Sequence, residues 1–96
     1  MSGTQITSHG LSARKKKILF RAWHRGMREM DFLFGQFADA NIADLSEDQL
    51  DTFETLLDLP DRDVLAWLTG EKSAPIEHQT DFLAMIISFH AKKSPF

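Results

Sequence analysis

The segment from Trp23 to Asp31 combines residue types that are well suited to binding another protein. Its sequence, WHRGMREMD, surrounds a glycine with large apolar side chains and several charges. Arg25 offers a planar fork of five donors for a carboxylate or for carbonyl oxygens of a second chain. Gly26 permits a positive φ or the close approach of another backbone. Glu29 can pair with Arg25 across one helical turn, with a base elsewhere in the fold, or with a partner, so a structural corner and a binding role are about equally favoured.

A stripe of basic residues forms a second candidate surface. Its members are spaced three or four positions apart and would share one face of a helix. Such a stripe can contact phosphates, and the alternative function is therefore a small helical regulator that binds nucleic acid. The competing interpretation is a solvated face that keeps the protein in solution. The stripe consists of Arg14, Lys17, Arg21, Arg25 and Arg28.

The sequence offers little for catalysis or for a bound cofactor. The chain has no cysteine and no tyrosine, and its serines, threonines and lysines lie in no recognisable nucleophile motif. His78 and Asp81 lie three residues apart and could share a metal, but two ligands do not make a site. No glycine-rich phosphate loop is present. We predict no catalytic residue, no metal site and no cofactor site in this chain.

The positions of apolar residues predict an all-α protein, a compact five-helix bundle. Helical periodicity dominates, and no segment alternates as a strand would. The phenylalanines of the second and fifth helices are predicted to be core residues, as is Trp67. The predicted boundaries are Ser12 as the first N-cap, a break at Gly26, an end near Asn41, a capping box from Ser46 to Gln49, an end at Leu59-Pro60, Asp61 as the fourth N-cap, Gly70 closing that helix, and Ser73–Pro75 opening the last.

Ninety-six residues are enough for one domain and no more. We predict a flexible N-terminal segment at residues 1–11, the helical domain at residues 12–91 and a frayed tail at residues 92–96. The net charge of −3 is divided very unevenly, with +6 in residues 1–30 and −9 in residues 31–63. Such a dipolar domain can steer a charged partner. No apolar run approaches the roughly 18 residues of a membrane span, and no secretory signal is recognisable, so we expect a cytoplasmic protein.

Two motifs in this chain resemble those of one known family. Arg25-Gly26-Met27-Arg28-Glu29 resembles the RGxxE signature of the FAD assembly factors, the SdhE-type proteins that are also called succinate dehydrogenase assembly factor 2. The resemblance covers about residues 12–90, nearly the whole chain. Trp23 precedes the signature and Met30-Asp31 follows it, and the family's second motif, LL…D.D…WL, is matched by Leu56-Leu57, Asp61, Asp63 and Trp67-Leu68.

The resemblance implies a non-enzymatic chaperone for the flavoprotein subunit of succinate dehydrogenase. Family members bind that subunit and promote the autocatalytic, covalent attachment of FAD to one of its histidines. The fumarate reductase flavoprotein is a plausible second client. FAD would then be attached to the client and not bound by this chain, which we expect to be a monomer that forms a 1:1 complex and binds no nucleic acid.

The resemblance also indicates which residues contact the client. We expect charge-assisted contacts from Arg25 and Glu29, close backbone approach at Gly26, and an apolar anchor formed by Trp23 and Met27. These contacts would lie near the mobile capping domain of the flavoprotein. The expected partner-binding residues are Arg25, Gly26, Glu29, Trp23 and Met27, followed by Arg28 and Asp31.

Overall fold

A computed structural model describes residues 10–93, and all regular structure in this range is helical. The prediction of an all-α, five-helix fold is confirmed. The expected flexible segment 1–11 and frayed tail 92–96 lie mostly outside the described residues, although Leu11 packs against the core. The helices are α1 (Ala13–Trp23), α2 (Arg28–Asn41), α3 (Glu47–Leu57), α4 (Asp61–Thr69) and α5 (Asp81–Lys93), with short 3-10 turns at Ile42–Asp44 and Ile76–His78.

Three helix ends follow the capping chemistry that the sequence predicts. The Ser12 hydroxyl accepts the Lys15 N–H at 3.1 Å and caps α1. At the start of α3, the Ser46 hydroxyl accepts the Gln49 N–H, and the Gln49 side chain accepts the Ser46 N–H, which completes the capping box. Gly70 ends α4 with a φ of 83°, a left-handed conformation that L side chains rarely adopt.

Two predicted helix starts are wrong. Pro60 is the N-cap of α4, and Asp61 is its first residue and makes no capping hydrogen bond. The last helix begins at Asp81 and not after Pro75, because the Thr80 hydroxyl accepts the Leu83 N–H at 3.1 Å and forms the cap. The segment before it is a 3-10 turn, and His78 and Asp81 therefore belong to different elements.

The core is built on edge-to-face contacts between phenylalanine rings. Phe37 packs at 5.8 Å from Phe53, at 5.5 Å from Phe82 and at 5.6 Å from Phe89, with the ring planes 77–85° apart. Phe34 makes a similar contact with Phe53 at 5.5 Å. Phe34 and Phe37 come from α2, which packs against α1, α4 and α5. The residues that carry the candidate site thus lie at the start of the helix that holds the core together.

Ion pairs join the basic helix α1 to the acidic helix α3. The Arg14 guanidinium donates to Glu47 at 2.7 Å, to Glu54 at 2.9 Å and to Asp51. The hydrogen bond from Arg14 lowers the pKa of the Glu54 carboxyl below its usual value, and the carboxylates raise that of Arg14. Arg21 pairs with Asp58 at 2.6 Å. Opposite charges that lie far apart in the sequence therefore meet on one side of the fold.

Replacing Glu54 with glutamine is expected to lower stability at neutral pH and to change little in acid. The lowered pKa means that the Glu54 carboxylate stabilises the fold fully above its ordinary pKa of 4.5, and that this contribution is lost as the pH falls from there through the lowered pKa of the folded state. Urea midpoints at about pH 7 and about pH 3 measure the difference. Asp48→Asn, an exposed change on the same helix, is the control. A midpoint gap between Glu54→Gln and the wild type that stayed equal at both pH values would contradict the prediction.

Candidate functional site

The RGxxE segment forms the turn between α1 and α2. Gly26 has a φ of +90°, and a Cβ atom placed on it would meet no atom within 4 Å. A substitution at this position is therefore strained by the backbone conformation and not by lack of space. Met27 follows with an extended backbone and is the N-cap of α2. The turn thus needs a glycine, and it leaves open space beside it.

Arg25 is held by an aspartate of α4. Its Nε and Nη2 atoms donate to the same Asp61 oxygen at 2.9 and 2.8 Å, and the two side chains are only 12% and 15% exposed. The Arg25 backbone N–H donates to the Asp31 carboxylate. The pair that closes this corner is therefore Arg25–Asp61 and not Arg25–Glu29. Because its guanidinium is engaged within the fold, Arg25 is less available to a client than the sequence suggests.

Trp23 and Met27 are half-buried, and both pack against the core. The Trp23 indole lies over Gly35, and its Nε1 donates to the Asp39 carboxylate at 3.1 Å. These contacts fix the end of α1 against the middle of α2. The two side chains support the turn from inside and offer a partner only part of their surface.

Arg28 and Glu29 are exposed on the first turn of α2. Within residues 10–93, neither side chain makes a hydrogen bond or an ion pair. Glu29 lies in the first turn of α2, close to the positive end of the helix dipole. Its carboxylate is therefore free to accept hydrogen bonds from another protein.

Phe32 is an exposed aromatic residue beside Glu29 that the sequence analysis missed. Its side chain is 52% exposed, so the prediction that the phenylalanines of this helix are core residues is wrong at this position. The ring lies 6.3 Å from the ring of His90 on α5. Spacing carried the signal, because Phe32 follows Glu29 by three residues and falls outside the buried stripe of α2. Glu29 and Phe32 thus place an anion and an aromatic ring side by side.

The basic stripe is largely consumed by ion pairs within the fold. Arg14 and Arg21 bind carboxylates of the α3 region, and Arg25 binds Asp61 on α4. Only Lys17 and Arg28 remain exposed. Contact with phosphates along the stripe would require these ion pairs to break, which disfavours the nucleic-acid alternative.

The histidines and helices of the described range fit neither a metal site nor a membrane span. No group of three or more metal-binding side chains comes together within residues 10–93. His78 instead stacks on Trp67, with ring centroids 5.4 Å apart. Trp67 is half-buried and packs against the core, as predicted. In the same range, no helix has the length and apolar character needed to cross a bilayer.

Comparison with known proteins identifies one family. Residues 16–90 match the family described as the flavinator of succinate dehydrogenase, Sdh5. The chain is 38% identical over 81 residues to succinate dehydrogenase assembly factor 2, mitochondrial, of Dictyostelium discoideum. The aligned region covers 84% of this chain and 57% of that protein. It is 34% identical over 86 residues to the FAD assembly factor SdhE of Acetobacter pasteurianus, and the aligned region covers 90% of this chain and 79% of that protein.

A third relative has a similar relation to the chain. It is succinate dehydrogenase assembly factor 2, mitochondrial, of Drosophila grimshawi, 32% identical over 78 residues, covering 79% of this chain and 53% of that protein. The chain thus spans little more than half the length of these two mitochondrial relatives. No solved structure matches it. Because the family match takes in most of the chain, including both motifs, the chain belongs to the Sdh5 family, the flavinators of succinate dehydrogenase.

Proposed function

We propose that this chain binds the flavoprotein subunit of succinate dehydrogenase and promotes the autocatalytic, covalent attachment of FAD to that subunit. It would act as an assembly factor and not as an enzyme, since the bond forms within the client. Family membership supports the client and the outcome. The observation that carries the proposed site is the free carboxylate of Glu29, exposed beside a rigid glycine turn.

The client would dock on the face formed by Gly26, Arg28, Glu29 and Phe32. Glu29 would accept charge-assisted hydrogen bonds from basic side chains of the client, and Phe32 would enter an apolar pocket. The open space at Gly26 would admit the client backbone. Of the residues expected from the sequence, Trp23, Met27, Arg25 and Asp31 would mainly support this face from behind. The factor would accelerate flavinylation by holding flavin and histidine in a reactive geometry.

We place FAD on the client and not on this chain, because the family is described by its action on succinate dehydrogenase, as its flavinator. The fumarate reductase flavoprotein would be a second client, and the complex would contain one copy of each protein. We propose no nucleic-acid partner, since the basic stripe is engaged in ion pairs. In a bacterium the factor would act in the cytoplasm, where the client folds.

Replacing Glu29 with alanine is expected to reduce client flavinylation at least tenfold. A hydrogen bond to a charged group contributes about 1.5–3 kcal/mol, which corresponds to a loss of affinity of roughly 10- to 150-fold. The client is expressed in a strain that lacks its own assembly factor, with limiting FAD, and covalent flavin is read as fluorescence of the client band on a denaturing gel. Glu77→Ala, which removes an exposed carboxylate outside the motif, is the matched control. Equal band fluorescence with wild type and Glu29→Ala would refute the proposed site.

A further inference from the structure

We propose that Asp61 is a positioning residue for client binding, and that Arg25 contributes to binding through Asp61 and not by touching the client. The inference rests on the proposed function, because it concerns the same surface. The two charged residues at the ends of the RGxxE motif would then have different roles. Glu29 would contact the client, whereas Arg25 would hold the turn in the shape that presents Glu29.

Asp61 binds the Arg25 side chain from a different part of the chain. Two of its nitrogens donate to one oxygen of Asp61 at 2.9 and 2.8 Å, across a separation of 36 residues. Both side chains are more than four-fifths buried, so the pair is largely shielded from water and from any partner. A partly buried, hydrogen-bonded arginine fork is a rigid link. Asp61 therefore fastens the turn between α1 and α2 to the first residue of α4.

A second set of contacts fixes the same turn from its other side. The Asp31 carboxylate accepts the Arg25 backbone N–H, and the Asp31 N–H donates to the Met27 carbonyl at 2.9 Å. Gly26 lies between these anchors with a φ of +90°. Asp61 and Asp31 thus hold Arg25 by its side chain and by its backbone, four residues before the exposed Glu29.

A turn that is already fixed loses little conformational freedom when a partner binds. If Asp61 is removed, the turn can move, and binding then loses the conformational entropy of that movement. The loss of Asp61 would weaken client binding although Asp61 does not reach the client. The loss of Arg25 would have the same effect for the same reason, and the two effects would not add.

The test is a double-mutant cycle on affinity. The dissociation constant for the FAD-free flavoprotein subunit is measured with the wild type, Arg25→Ala, Asp61→Ala and the double variant. We expect each single change to weaken binding about tenfold. The double variant should bind the client as well as the single variant that binds less tightly, because the effects of coupled residues do not add. Asp61→Asn keeps one acceptor for Arg25 and is expected to lose less. Its dissociation constant can also be measured if Asp61→Ala does not fold.

The controls separate positioning from general stability and from failure of the proposed function. Arg21→Ala and Asp58→Ala break a different ion pair, the one between Arg21 on α1 and Asp58, which lies outside the motif, and they should leave the affinity unchanged. The inference is overturned if Asp61→Ala binds as the wild type does, or if the losses of the two single variants multiply in the double variant. If either of these results is found while Glu29→Ala weakens binding in the same assay, only the positioning role of Asp61 is overturned. If Glu29→Ala also binds as the wild type does, the proposed function fails with it.

Discussion

Replacing Phe53 with alanine is expected to lower the free energy of unfolding by about 3–5 kcal/mol. Phe53 is fully buried, and its ring centroid lies 5.5 Å from that of Phe34, 5.8 Å from Phe37 and 5.3 Å from Phe82. Removing the ring exposes three others to a cavity that rigid aromatic neighbours cannot close. A chain of this length has a total stability of roughly 5–14 kcal/mol, so the substitution would remove at least about a fifth of it.

Urea denaturation followed by circular dichroism measures this effect. Phe20→Ala removes the same ring from a site that is 62% exposed, and it should change the stability by no more than about 0.5 kcal/mol. The comparison holds the chemical change constant and varies only burial. Similar unfolding midpoints for the two variants would show that the ring cluster does not stabilise the fold as argued.

Replacing Gly35 with leucine is expected to destabilise the fold by about 3 kcal/mol, the upper end of the usual cost of overpacking. A Cβ atom at this position would lie 2.3 Å from Cδ2 of the Trp23 ring, where no real Cβ atom fits. The indole cannot move freely because its Nε1 is hydrogen-bonded to Asp39. Leucine favours helix far more than glycine does, so any loss of stability must come from the collision.

The displacement of the indole can be measured directly. Since the chain has two tryptophans, a Trp67→Phe background leaves Trp23 as the only tryptophan, and Gly35→Leu should shift its emission to longer wavelength. Ala40→Leu, at an exposed position of the same helix, is the control for adding a leucine side chain to α2. Unchanged stability and emission in the Gly35→Leu protein would mean that Trp23 does not pack against this glycine.

Local chemistry made much of the fold predictable. The capping box at Ser46 and the left-handed Gly70 depend on neighbouring residues only, and both were predicted correctly. The start of α5 was not, because Pro75 and Thr80 both offer a helix start, and the loop before the helix decides between them. In that loop the Gln79 side chain donates to the Ala74 carbonyl at 2.7 Å and holds a 3-10 turn.

The candidate site was located correctly in the sequence, but the roles within it were not predictable. Arg25 and Glu29 are four residues apart, which suggests a pair, yet the partner of Arg25 is Asp61 on a distant helix. Spacing along one helix carries no information about which residue another helix brings close. The exposure of Phe32, in contrast, was predictable, because Phe32 falls outside the buried stripe of α2, yet all phenylalanines of this helix were assigned to the core.

The carboxylates that bind Arg14 and Arg21 also make the formation of two helices interdependent. Glu47, Asp51 and Glu54 recur every three or four residues along α3, and Asp58 follows at the same spacing. Like charges at this spacing repel and disfavour the helix that carries them. When α1 packs against α3, its arginines offset this repulsion by pairing with the four carboxylates. The stability of α3 therefore depends in part on its contact with α1, and a change that loosens α1 would weaken α3 as well.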